Sequence, residues 1–138
     1  LLEYMAIAAG FRGRGIGSAL LRHILDTLRL TEHISGLILE VEPKEQGTQE
    51  EKALRKRRIQ FYRKNGAHLV ECAPRYRMPN LAGYGDVEMR LMWLPLREKD
   101  ITLSGRKLRD CIIKIYRYCY SRSSDDPLLQ TVLKDLAC

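Results

Sequence analysis

Arg12-Gly13-Arg14-Gly15-Ile16-Gly17-Ser18 is the stretch on which the reading of this chain turns. Three glycines at alternate positions fit neither a strand nor a helix interior, because glycine loses the most backbone freedom on ordering. Just before them, Leu1 to Ile7 is apolar with one glutamate, the pattern of a strand buried on both faces. Just after them, Ile16, Ala19, Leu20, Ile24 and Leu28 recur at helical spacing, which predicts a helix from Gly15 to about Leu30. Strand, glycine loop and helix in that order put unpaired main-chain N–H groups and the positive end of a helix dipole at the loop, where an anion is favoured. Arg12 and Arg14 add charge beside the same place. A tight strand-to-helix turn on a basic protein uses the same residues, so the loop alone leaves both readings open.

Further along, Leu37 to Glu42 reads as a second strand, and Pro43 and Gly47 lie in the polar loop that follows. Glu50 to Asn65 reads as a charged helix, with Ala53, Leu54, Ile59, Phe61 and Tyr62 as its buried stripe and Asn65-Gly66 as its stop. Ala67 to Cys72 is a predicted strand and Pro74 to Gly85 a loop. In a last strand, Val87 to Leu94, Val87, Met89, Leu91 and Trp93 share one face. Beyond Pro95 the pattern turns helical. Ser104 is placed to cap a helix whose stripe is Leu108, Cys111, Ile112, Ile115 and Cys119, and Asp126-Pro127 opens another from Leu128 to Leu136. These two helices read as a C-terminal extension over 99–138, after a first unit over 1–98.

Two phosphate motifs fail on the glycine loop. A Walker A loop needs Lys and Ser or Thr after its last glycine, but Gly10 to Gly15 is followed by Ile16 and Gly17. A dinucleotide fingerprint needs Gly or Ala where Ser18 stands. The pattern [Q/R]-x-x-G-x-[G/A] is filled by Arg12, Gly15 and Gly17, and with Tyr4-Met5-Ala6-Ile7 before it and Ala19-Leu20-Leu21 after it the chain resembles the GNAT superfamily of acyl-CoA-dependent N-acyltransferases. A second stretch, Arg58-Ile59-Gln60-Phe61-Tyr62-Arg63-Lys64-Asn65-Gly66-Ala67, is similar to that family's helix ending in tyrosine, then glycine and a strand. The resemblance covers about residues 1 to 94. It implies an α/β (α+β) fold with a mixed central sheet flanked by helices. It also implies that this chain is a piece lacking the strands and helices that precede the glycine loop in the family.

The resemblance further implies acetyl transfer from acetyl-CoA, as co-substrate, directly to an amine. The pantetheine arm would add along the backbone of Met5, Ala6 and Ile7, and the pyrophosphate would sit on the loop of Arg12, Gly13, Arg14, Gly15, Ile16, Gly17 and Ser18. One amide near Met5 to Ile7 would stabilise the developing oxyanion, and such a donor is worth about 10²–10³ in rate. Tyr62 matches the family tyrosine that hydrogen-bonds or protonates the sulfur. Glu40 matches a position where some relatives carry a general base, with Glu3 and Glu42 as rivals. Arg55 stands where some relatives place an asparagine that contacts CoA. The long loop after Glu42 and the segment Arg75-Tyr76-Arg77-Met78-Pro79 are where acceptor specificity could reside.

Composition bounds the alternatives. With 138 residues a second full domain is not expected, and 45% hydrophobic with 30% charged residues excludes a disordered chain. The longest apolar runs are far short of the roughly 20 residues needed to span a bilayer. Four cysteines lack any CxxC pair and three histidines stand far apart, so no metal is expected, and free thiols suit a cytoplasmic location. The net charge is +7, and its excess falls on residues 44–80, which carry 10 basic and 4 acidic side chains. Nucleic acid and membrane are not expected as partners; the expected partner is acetyl-CoA with an amine-bearing small molecule or protein, and a homodimer is left open. Two other functions stay in view: a catalytically silent CoA-binding or interaction module, and a nucleic-acid binder using Arg55 to Arg58 with Arg63-Lys64.

Overall fold

The computed structural model describes all 138 residues. The central sheet has three antiparallel strands in the order β1 (Gly36–Val41), β5 (Arg90–Pro95), β2 (His68–Leu69). β1 and β5 pair along their whole length, with Ile38 opposite Trp93 and Glu40 opposite Leu91. A separate hairpin joins β3 (Arg77–Pro79) to β4 (Asp86–Glu88). Leu2 adds a single isolated parallel bridge, to Leu39, but every strand pairing is antiparallel. The α+β class read from the sequence holds, while the mixed sheet expected there is an antiparallel one, because Leu1 to Ile7 forms no strand.

Side chains alternate across β1 and build one core on each face. Leu37, Leu39 and Val41 pack with Met92 and Leu94 under α1 (Ile16–Arg29) and α2 (Gln49–Lys64), through Leu21, Leu25, Ile59 and Tyr62. Ile38 packs with Leu91 and Trp93 against α3 (Gly105–Cys119) and α4 (Pro127–Lys134), through Leu108, Ile112, Ile115, Tyr116, Leu129, Val132 and Leu133. The C-terminal helices thus pack on the Ile38 and Trp93 face of the sheet.

Several local expectations change. Leu1 to Ile7 pairs only at Leu2, where its N–H bonds the Ile38 carbonyl at 2.9 Å; from Glu3 onward it leaves the sheet. The helix α1 buries Leu21 and Leu25, while Ile16 and Leu20 stay exposed, because apolar residues occur in adjacent pairs and the helical period fits two faces. In α2, Ala53 and Leu54 are exposed, and its buried positions, Ile59 and Tyr62, fall in its C-terminal half. The strand from Ala67 shrinks to two residues, and the loop from Pro74 contains β3. The expected strand from Val87 splits at Met89, whose N–H bonds the Tyr76 carbonyl at 3.0 Å as the chain passes from the hairpin to the central sheet. Asp126 caps α4 by accepting from the Leu128 and Leu129 amides at 2.9 and 3.0 Å, whereas the Ser104 side chain makes no cap bond. All four cysteines are free, and no helix is long and apolar enough to cross a membrane.

Candidate active site

The site begins at the fork where Leu1 to Ile7 parts from β1. Past Leu2, no main-chain N–H or C=O from Glu3 to Ala6 bonds any other main-chain group. Met5 and Ile7 are half-buried, and Glu3, Tyr4 and Ala6 are exposed. An extended segment with free polar groups beside an existing sheet is an edge onto which another extended chain can add.

The edge runs into the glycine loop. Arg12 Nε donates to the Ile7 carbonyl at 2.8 Å and ties the loop back to the extended segment. Gly13 and Gly15 hold φ of 74° and 75°, left-handed values that a side chain would strain. Gly15 caps α1 without a side chain, and no hydrogen bond engages the N–H groups of Gly13, Arg14, Gly15, Ile16, Gly17 and Ser18. Six consecutive main-chain N–H groups at a helix start thus lack a protein partner, with Gly13 to Ile16 exposed and Gly17 and Ser18 half-buried, an arrangement that can accept an anionic group. Arg14 lies over the Phe11 ring with its guanidinium carbon 5.9 Å from the centroid.

The end of α2 braces this loop. A Cβ on Gly17 would lie 3.4 Å from the Phe61 ring, in ordinary van der Waals contact, which places the start of α1 against the end of α2. Asn65, the last-turn cap of α2, donates from Nδ2 to Ser18 Oγ at 3.3 Å and to the Phe61 carbonyl at 2.9 Å. Next to Phe61, Tyr62 is buried in the core under β1, and its hydroxyl bonds no protein group. Burial raises its pKa and outweighs the opposing charge of Arg58, so the phenol stays protonated at neutral pH.

Glu40 projects from the opposite face of β1. Tyr76 donates to its Oε1 and Tyr120 to its Oε2. Desolvation raises its pKa more than the two phenols lower it. Glu3, on the other arm of the fork, adds like charge. Glu42 is committed elsewhere, to Arg58 at 2.6 Å and Arg55 at 3.5 Å. Arg55 also donates to the Gln46 carbonyl at 2.5 Å, so it clamps the loop that precedes α2.

The expected residues therefore gather around one fork, with Tyr62 and Glu40 on opposite faces of the sheet. Tyr120 was not expected there, because it lies in the C-terminal extension, which carries no motif. Tyr76 was expected only within a segment open to acceptor specificity, and Asn65 only as a helix stop inside the family-like stretch, neither with a partner in the site. No three His, Cys, Asp or Glu side chains cluster as a metal ion would require. Residues 1–66 match the model of a family described as an acetyltransferase (GNAT) domain, which points to acetyltransferase activity for this part of the chain. No curated protein and no solved structure matches the chain.

Proposed function

We propose that this protein is an N-acetyltransferase that moves an acetyl group from acetyl-CoA directly to an amine. The observation that carries this reading is the continuity of the free main-chain edge at Glu3 to Ala6 with the six free amides from Gly13 to Ser18. A long ligand with an amide-rich arm and an anionic end fits both in sequence: the arm on the edge beside Met5, Ala6 and Ile7, the pyrophosphate on the loop. Arg12 and Arg14 add favourable charge for that end, screened by salt because both are exposed.

Acetyl-CoA, when bound, supplies an activated thioester. The chain's own residues handle the protons. Glu40 takes one from the acceptor, leaving a neutral amine that can form the new C–N bond. Tyr62, kept protonated by burial, donates to the sulfur as the C–S bond breaks. Their placement on opposite faces of the sheet suits a thioester lying in the plane of the fork, with base and acid approaching from different sides.

Titration of the protein with acetyl-CoA and with CoA, followed by thermal shift, tests the binding half. At 100 times Kd a ligand adds about 2.7 kcal/mol, a shift of several degrees for a domain of this size. Thiol release on adding amines tests the transfer half. Binding without release favours the silent CoA-binding module, and the absence of both binding and release overturns the acetyltransferase reading.

A further inference from the structure

Glu40 differs from every other carboxylate near the fork in what surrounds it. Both oxygens accept a phenol hydrogen, yet no Lys or Arg pairs with it, while Glu42 two residues away has two arginines. A half-buried carboxylate normally acquires a cation, because donors alone do not neutralise its charge. Each carboxylate oxygen keeps a further lone pair after accepting one phenol. Glu40 therefore has its orientation fixed and no side-chain cation paired with it; the Leu1 amino group acts on it only as a minor charge.

The two phenols come from separate parts of the fold. Tyr76 is fully buried ahead of β3, and its backbone is tied to Met89 at the strand switch. Tyr120 caps the C-terminal end of α3 and stacks edge-on against Tyr116, with ring centroids 5.5 Å apart. Tyr116 in turn donates to the Arg77 carbonyl. The carboxylate is thus held by a tyrosine network anchored on β3 and α3. The groups facing it are Glu3 and the Leu1 amino group across the fork, Tyr76, and Tyr116, Cys119 and Tyr120 of α3.

We infer that Tyr76 and Tyr120 are positioning residues that hold Glu40 as the receptor of a protonated alkylamine, so that the C-terminal helix α3 belongs to the catalytic unit. This rests on the acetyltransferase reading and adds the acceptor's class, an alkylammonium whose charge Glu40 completes. One proton passes from the ammonium nitrogen to Glu40, which leaves the amine lone pair free. When the C–N bond has formed and the C–S bond breaks, Tyr62 gives its phenol proton to the departing thiolate and the second nitrogen-bound proton passes through solvent to restore the phenol, giving amide, thiol and a protonated Glu40.

The test compares two nucleophiles with acetyl-CoA at neutral pH, measured as thiol release above background. n-Butylamine arrives protonated and needs a base; hydroxylamine is largely unprotonated and does not. In Tyr120→Phe and Tyr76→Phe, which keep the rings, butylamine transfer should fall about 10-fold, part of the 10²–10⁴ that a base is worth, while hydroxylamine transfer stays within about two-fold. The acid limb of the butylamine pH profile should also move to higher pH, because losing a donor to the carboxylate raises its pKa. Equal loss with both nucleophiles, in variants whose thermal melts match the wild type, would show a purely structural role and overturn the inference. No loss with either would overturn it as well. Wild-type transfer to hydroxylamine alone would remove Glu40 as a base and leave acetyl transfer standing, whereas transfer to neither would bring down the acetyltransferase reading itself.

Discussion

One face of β1 turns Leu37, Leu39 and Val41 toward α1 and α2; the other turns Ile38 and Glu40 toward α3, α4 and Tyr76. On the first face the elements follow one another closely in sequence, and the expected chemistry uses main-chain amides of the loop before α1. On the second, Glu40 meets Tyr120 from 80 residues away, and the chemistry uses side chains only. Main-chain sites tolerate many side chains but demand particular backbone angles, which is why glycines mark them. Side-chain networks demand particular residues at positions that only packing brings together.

The sharpest break between the faces is kinetic. Glu40→Gln preserves an acceptor for one phenol and should lower transfer to an alkylamine by about 10²–10⁴, with acetyl-CoA affinity unchanged by thermal shift. Equal loss of affinity would mean the two faces do not divide the labour. Next come the cores. Leu21→Ala under α1 and Ile112→Ala under α3 each empty a fully buried site and should cost about 2–5 kcal/mol in urea denaturation. One transition in both variants is expected, because β1 and β5 belong to both cores; two transitions in Ile112→Ala would show that the α3 face unfolds alone.

Tyr62→Phe should reduce turnover about 10–100-fold while retaining CoA affinity, the fractional loss expected when one proton donor is removed. Removing the α4 cap with Asp126→Ala should cost about 0.5–2 kcal/mol, and Ser104→Ala at α3 should change little, since only Asp126 accepts from the helix amides. The smallest effect concerns pH. Glu40 has a raised pKa in the folded state, so the native protein holds its proton more tightly than the unfolded chain. Its contribution to stability is complete below the ordinary carboxylate range and is lost as pH rises through the raised value. The melting temperature of Glu40→Gln should fall less than that of the wild type over that window.

The legible parts were those fixed by neighbours in sequence. Gly13 and Gly15 require left-handed angles, and Asp126-Pro127 opens a helix, whatever the rest of the chain does. The apolar spacing predicted the helix α1 but did not settle its buried side, because Leu20-Leu21 and Ile24-Leu25 offer two stripes and only the sheet beneath selects one. The β3–β4 hairpin was missed because three-residue strands carry too little alternation to register.

The sequence by itself determined the order of extended segment, glycine loop and helix, and Tyr62 at the end of α2, since each depends on local backbone preferences and helical period. Tertiary structure alone decided that Leu1 to Ile7 leaves β1 after Leu2, that Glu40 and Tyr62 lie on opposite faces, and that Tyr76 and Tyr120 close on Glu40. Those outcomes depend on which surfaces find one another once apolar area is buried, and no pattern of adjacent residues encodes such pairings.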